Sequence, residues 1–190
     1  MVFREKRKRG NRIVNVKVCR SAKKCIFAPG LARYEHNWLQ SAHYRAIGIN
    51  KNLQTMNEIE IMNERCKGTM MEFLGIRFTN YGDGFLEATM PINERSCTPA
   101  KIGHGGALMA LAESVGSGLS FLNVDLTKQD VRGLEIKGNH LKAATGIVTA
   151  RATLLHKGRT THVCEIKIRN ENGDLVNVSQ MTNIVVDVRG

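Results

Sequence analysis

The stretch His104-Gly105-Gly106-Ala107-Leu108-Met109-Ala110-Leu111-Ala112-Glu113-Ser114-Val115-Gly116-Ser117 constrains the fold more than any other part of the chain. It reads as a helix of small and apolar residues opened by two glycines. A surface helix interleaves charged residues along one face. Between residues 107 and 122 there is one ionisable group, Glu113, so this helix is expected to be buried nearly all round. A lone carboxylate in such surroundings is costly unless it has partners or a task. Glu113 therefore marks where chemistry is expected.

A helix that is apolar on every side needs a sheet that curls about it, and the sequence supplies strands before and after it. Residues 75–81 alternate apolar and polar, which is a strand period. Gly82-Asp83-Gly84 offers a turn, and residues 85–91 form the second strand of a hairpin. A loop of Asn, Arg, Ser and Pro over 92–103 leads into the helix. Beyond a polar loop at 123–130, strands are expected at about 131–143, 146–157, 161–171 and 175–187. The middle pair turns around Lys157-Gly158-Arg159. Glu171-Asn172-Gly173-Asp174 is a hairpin turn, because Asn-Gly supplies positive φ at low cost. Val163, Glu165, Lys167 and Arg169 share one face, with Cys164, Ile166 and Ile168 on the other, as suits a sheet with one packed face. Upstream, residues 53–65 predict a short amphipathic helix and 70–74 a further turn of helix. Ala and Gly at 105–107, 110, 112, 116 and 118 let helix and sheet approach closely. The class is α+β: a hairpin, a long buried helix, then consecutive antiparallel strands. This is the layout of the hotdog fold, a curved antiparallel sheet wrapped around a central helix.

The net charge of +11 over 190 residues looks like a nucleic-acid signature until it is mapped. Residues 1–51 hold 13 Lys+Arg and 2 Asp+Glu, whereas residues 52–190 hold 15 of each. The basic character belongs to an N-terminal extension, residues 1–52, expected to be disordered or dispensable. Residues 53–190 are expected to form the hotdog domain. Within the extension Ile13, Val14, Val16 and Val18 could form a short strand. Three origins compete for it: a basic arm that touches nucleic acid or acidic surfaces, an Arg-rich targeting peptide, or a translated upstream segment with the functional protein starting near Met56. Neither a helix-turn-helix pattern nor stacking aromatics accompany the basic cluster, so nucleic acid is not expected as a partner. No run approaches the roughly 18–20 apolar residues of a membrane span, and the N-terminus lacks a secretory apolar core. Cys19, Cys25, Cys66, Cys97 and Cys164 are scattered, without a C-x-x-C pair or zinc-site spacing. Free thiols in a reducing cytoplasm and no bound metal are the expectation.

Over roughly residues 53–190 the sequence resembles the hotdog acyl-CoA thioesterases, in the branch of phenylacetate-type and 1,4-dihydroxy-2-naphthoyl-CoA hydrolases. The resemblance rests on His104-Gly105-Gly106…Ala112-Glu113-Ser114…Gly116-Ser117, on Gly133-Leu134-Glu135-Ile136…Asn139-His140, and on His156-Lys157-Gly158. It implies hydrolysis of an acyl-CoA, aromatic or otherwise bulky, to the free acid and CoA; CoA is part of the substrate and no separate cofactor is needed. Gly105 would donate its N–H to the thioester oxygen, at a helix end that favours negative charge. Glu113 would be the nucleophile or the general base that activates water. His104, Ser117 and Thr98 complete the catalytic set implied. His140 would lie beside the attacking water or the substrate, with Asn139 next to it. Lys142, His156, Lys157 and Arg159 would meet the CoA phosphates. Plainer roles stand beside these: a helix-start residue for His104, a strand-face residue for His140, an ordinary helix position for Ser117, and solvated charges for Lys142, Lys157 and Arg159. At Thr98 the family usually carries Gln or Asn, whose amide helps hold the carbonyl; a threonine hydroxyl reaches less far.

Helix geometry adds an expectation of its own. Gly105 and Glu113 are eight residues apart, about 12 Å along one axis, too far to address one carbonyl together. Two such helices packed antiparallel would bring Gly105 of one chain opposite Glu113 of the other. A two-fold dimer with composite sites is therefore expected, and the resemblance extends this to a dimer of dimers. The competing functions are a non-catalytic acyl-CoA-binding module and a hotdog hydratase or dehydratase.

Overall fold

The computed structural model describes residues 57–188 and the backbone of residues 2–9 and 12–19. The chain divides into two units, Met1–Ala32 and Arg33–Gly190. In the first, strand β1 (Val2–Arg9) pairs antiparallel with β2 (Arg12–Cys19), in register from Val2 opposite Cys19 to Arg9 opposite Arg12. The four apolar residues from which a strand is expected all lie in β2. The remainder of the 1–52 extension, and with it the expectation of disorder, lies outside the described residues, as do residues 53–56.

The second unit opens with helix α1 (Glu58–Arg65), started by a reciprocal cap. Asn57 Oδ1 accepts from the Glu60 N–H at 2.9 Å while Glu60 Oε2 accepts from the Asn57 N–H at 2.8 Å, an arrangement worth about 1 kcal/mol. Helix α2 (Met70–Leu74) follows and stops at Gly75, whose φ of 74° only glycine adopts without strain. The strand expected from residue 75 therefore starts later, as β3 (Arg77–Gly82). It forms a hairpin with β4 (Phe85–Pro91). Helix α3 (Gly105–Phe121) is the long apolar helix, followed by β5 (Gln129–His140), β6 (Ile147–Lys157), β7 (Thr161–Arg169) and β8 (Leu175–Asp187).

These six strands form one antiparallel sheet in the order β3-β4-β6-β7-β8-β5. The consecutive order expected after the helix holds for β6, β7 and β8. β5 instead lies at the far edge, beside β8. The chain returns from it past the start of α3, where Gly103 donates to the Ala144 carbonyl at 2.8 Å and Ile92 to that of Gly146 at 2.7 Å. Helix α3 packs on β4 through β8, so the sheet does curl about it. Leu108, Leu111, Ala112, Val115 and Leu119 are buried against Leu86, Met90, Val148, Ile166 and Ile168. At Gly118 an added Cβ would come within 2.8 Å of Leu86 and 2.9 Å of Met62, which is why the helix is built from small residues here. No helix among the described residues is long and apolar enough to cross a membrane.

One expectation fails in an informative way. Helix α3 is not buried all round in the single chain, because Glu113 is exposed and Ala110, Ser114 and Ser117 are half-buried. The uncovered stripe faces the side of β5. From Arg132 to His140 that strand is exposed except at Ile136, which is half-buried, and Leu134 is 63% exposed. A twelve-residue edge strand so exposed from Arg132 onward is a ready template for pairing.

The alternation read in 161–171 appears as drawn, with Cys164, Ile166 and Ile168 inward. The inward set also includes His162, 2% exposed, whose Nδ1 has no hydrogen-bond partner. Burial lowers its pKa from the ordinary 6.5, helped by the positive charges of Lys157 and His156 and opposed by a hydrogen bond with the Gly158 backbone. Well above pH 6.5 the ring is neutral folded and unfolded, and contributes no pH dependence. As pH falls below that value the unfolded chain takes up a proton that the folded chain refuses, so stability is lost until the folded pKa is reached. Urea midpoints are expected to fall between about pH 7.5 and 5.5, and less steeply in a His162→Gln variant. Equal slopes would remove His162 from this role. Cys66, Cys97 and Cys164 are free, and burial pushes the Cys164 thiol up to about 11. Cys19 and Cys25 lie outside the described side chains.

Candidate active site

The start of α3 is fixed by the loop that precedes it. Cys97 bridges to Gly103, and the His104 N–H donates to the Ser96 carbonyl at 2.8 Å. Buried Ser96 is itself tied down, its hydroxyl donating to the Pro91 carbonyl at 2.7 Å and accepting from the Asn93 N–H at 3.0 Å. His104 is the N-cap of α3. Its Nδ1 accepts from the Gly106 N–H at 2.9 Å, so in the neutral ring the proton sits on Nε2. The plainer role, helix-start residue, is the one the geometry displays. With Gly106 satisfied, the N–H of Gly105 has no partner among the described residues and no intrahelical one is possible.

A Cβ on Gly105 would lie 2.8 Å from Nε2 of His140. Glycine there lets the β5 imidazole sit directly over the helix start, so Gly105 and His140 are brought together. Asn139, one residue earlier, points to the opposite sheet face and is exposed; this chain does not bring it to Gly105. Eight residues down the helix, Glu113 Oε1 lies 3.6 Å from the Cβ position of Gly133 on β5. Ser117, a turn further on, directs its hydroxyl toward β8, 3.4 Å from Asn183 Oδ1 and 3.7 Å from Met181 Sδ. Asn183 in turn donates to the Gly116 carbonyl at 3.3 Å and to Ser120 Oγ at 2.9 Å. Thr98 is held by its backbone, its N–H donating to the Ile102 carbonyl at 2.7 Å. Its hydroxyl is buried and unpartnered.

The cations are dispersed. Lys142 is paired with Asp174 at 2.8 Å on the surface; the hydrogen bond from that lysine holds the Asp174 carboxyl below its ordinary range. Lys157 donates to Asn123 Oδ1 at 3.0 Å, just past the C-terminal end of α3. His156 and Arg159 are exposed near the same turn. That end of the helix is about 24 Å from Gly105, so within one chain these residues do not join Gly105 and His140.

Two residues not singled out from the sequence belong with His140. Buried Asn177, its cross-strand partner on β8, places Nδ2 3.2 Å from His140 Nδ1. Buried Ser179 donates to Asn177 Oδ1 at 2.6 Å. The signal was available: Asn177, Ser179 and Asn183 are polar residues in the inward phase of a strand, and such positions need partners.

Comparison with known proteins bears on the whole domain. The thioesterase superfamily model matches residues 101–177. An esterase of Pseudomonas aeruginosa is 40% identical over 134 residues, 70% of this chain and 92% of its own. The solved structure of a glutamine-to-alanine variant of that protein, there called a thioesterase, superposes with a TM-score of 0.68 over 71% of this chain and 98% of its own. The 1,4-dihydroxy-2-naphthoyl-CoA hydrolase of Escherichia coli is 40% identical over 67% of this chain and 94% of its own. Two solved structures of one Staphylococcus aureus thioesterase, with TM-scores of 0.61 and 0.60 and identities of 34% and 35%, cover 63% and 61% of this chain and 99% and 97% of theirs. They carry a glutamate-to-alanine and a glutamine-to-alanine change respectively, at residues fifteen positions apart. A curved six-stranded sheet around one apolar helix, matched in sequence over nearly the full length of these relatives, establishes that the chain belongs to the thioesterase superfamily and has its hotdog fold.

Proposed function

We propose that this protein hydrolyses an acyl-CoA thioester to the free acid and CoA, with Gly105 and Glu113 as the two halves of a site shared between protomers. The observation that carries this is the start of α3: an unpartnered N–H on Gly105 at a positive helix end, with an imidazole held over it. An oxyanion forming there meets a donor already in place. Glu113 supplies oxygen to the carbonyl carbon, as nucleophile or through a water that it deprotonates. In the Staphylococcus thioesterase the altered glutamine and glutamate have the separation of Thr98 and Glu113 here, which supports both assignments.

The dimer follows from β5. Its His140 end lies beside Gly105, and its Gly133 end beside Glu113. Pairing two β5 edges antiparallel about their middle sets the His140 end of one against the Gly133 end of the other. Each Gly105 then approaches the partner's Glu113, and the same pairing covers Leu134 and the uncovered stripe of α3. In this reading Ser117 orients Glu113 from the next turn, Thr98 takes the place of the family's carbonyl-holding amide, and Lys142, His156, Lys157 and Arg159 contact CoA phosphates across protomers. The dimers pair again into tetramers. The acyl group is bulky or aromatic, in keeping with exposed Met70 and Phe73 on α2, which packs against α3. The enzyme works in the reducing cytoplasm, and residues 1–52 are dispensable for turnover.

Free-thiol release from benzoyl-, naphthoyl- and straight-chain acyl-CoA tests this, with the full chain and with one lacking residues 1–52. Bulky aryl thioesters should be turned over fastest, and equally by both chains. Folded dimer inert toward the whole panel would overturn the catalytic reading, and loss of activity in the shortened chain would overturn the dispensability of the extension.

A further inference from the structure

Building on that reading, we infer that Asn177, anchored by Ser179, is a positioning residue that fixes the His140 ring with its Nε2–H aimed at the atom Gly105 binds, making His140 a second oxyanion donor. The hydrogen-bond distances assign the direction of the chain. The Ser179–Asn177 contact, at 2.6 Å, fits a hydroxyl donating to an amide oxygen, whereas an amide N–H donating to a hydroxyl sits nearer 2.9–3.0 Å. The Asn177 oxygen is thus toward Ser179 and its NH2 toward His140, 3.2 Å from Nδ1. An NH2 has no acceptor capacity, so Nδ1 must present its lone pair and the neutral ring carries its proton on Nε2.

That proton points where it matters. Nε2 is 2.8 Å from the Cβ position of Gly105, which itself lies about 2.5 Å from the Gly105 nitrogen. The two nitrogens are therefore within about 5.3 Å of each other, a span that one oxygen accepting from both at about 2.9 Å can bridge. The anchor is rigid: Asn177 is 0% and Ser179 2% exposed, and Ser179 Oγ also lies 3.6 Å from Met109 Sδ on α3. At Gly138 an added Cβ would collide with that hydroxyl, so glycine at this position leaves the Ser179 hydroxyl its place. His140 is on the surface, and without Asn177 its ring is free to turn or to exchange tautomers.

The tautomer is read directly from long-range 1H–15N correlation spectra of the imidazole, with His140→Ala for assignment. The wild type should show the Nε2–H form at neutral pH. In Asn177→Leu, which keeps the branched shape and removes the donor, kcat on an aryl-CoA should fall about 10²-fold with KM little changed, and the spectrum should become a tautomer mixture. Ser179→Ala should move both in the same direction by less, which keeps the test open if Asn177→Leu does not fold. The deciding measurement is the double variant. If Asn177 acts only through His140, adding Asn177→Leu to His140→Ala costs no further activity. A full additional loss, or an Nδ1–H ring in the wild type, overturns the inference. If no acyl-CoA is hydrolysed at all, the proposed function falls while the tautomer measurement still decides the geometry.

Discussion

Replacing Glu113 with alanine is expected to lower kcat for acyl-CoA hydrolysis by about 10²–10⁴-fold while leaving CoA binding in place. Glu113 is exposed in the single chain and makes no hydrogen bond or ion pair among the described residues, so truncating it opens no cavity and strands no partner. The surrounding helix is secured by Leu111, Ala112 and Val115, each 0% exposed. A large loss of rate without a change in melting temperature is then a statement about chemistry, because stability effects at such positions stay within about 0.5 kcal/mol. Glu113→Gln separates the acid from its shape: it retains size and hydrogen bonding but cannot take a proton or attack, and should be as inactive as the alanine variant. Thiol-release kinetics and calorimetric binding of CoA check both. Activity within about threefold of wild type in either variant would assign the acid to some other residue.

The α3 stretch shows how far sequence carries and where it stops. A helix nearly devoid of charge predicted a sheet folded around it, and α3 does pack on five strands. The same pattern predicted burial on every side, and here it overshot. Periodicity reports that a face will be covered without saying by what; the stripe around Glu113 is left open in one chain beside a β5 that is itself uncovered. Strand order was hidden for a related reason. β5 and β6 both read as good strands, but pairing β5 with β8 is a long-range choice that local alternation does not encode. Gly105 was legible as the first residue of α3 because two glycines after a histidine, ahead of an apolar run, mark a helix start. His104 was read with the chemistry, and its cap bond to Gly106 is a use that any N-cap side chain acceptor could serve. Lys142, Lys157 and Arg159 look alike in sequence, yet one is paired to Asp174 and the others sit at the far end of α3. Charge alone carries no address. Asn177 was missed because a polar residue inside a strand gains meaning only when its cross-strand neighbour, His140, is known.

Mixing two inactive variants is expected to restore activity, and by a predictable fraction. Glu113→Ala removes the acid from every site of its homodimer. Gly105→Val does the same for the oxyanion end, since the first carbon it adds would already sit 2.8 Å from His140 Nε2 and the branch beyond it must displace the ring or the substrate. If each site takes Gly105 from one protomer and Glu113 from the other, a heterodimer of the two variants contains one site damaged twice and one site wholly wild type. Random assortment makes half of the dimers heterodimers, so a co-expressed mixture should recover about a quarter of wild-type activity from two nearly dead parents. Were both halves of the site supplied by the same chain, every site in the mixture would stay broken and no activity would return. The experiment therefore measures the feature that the 12 Å rise between Gly105 and Glu113 first pointed to. It does so through turnover alone, independently of any measurement of size. Recovery also requires β5 to pair, so a Leu134→Asp change in both parents, placing a charge on that exposed edge, should abolish the gain.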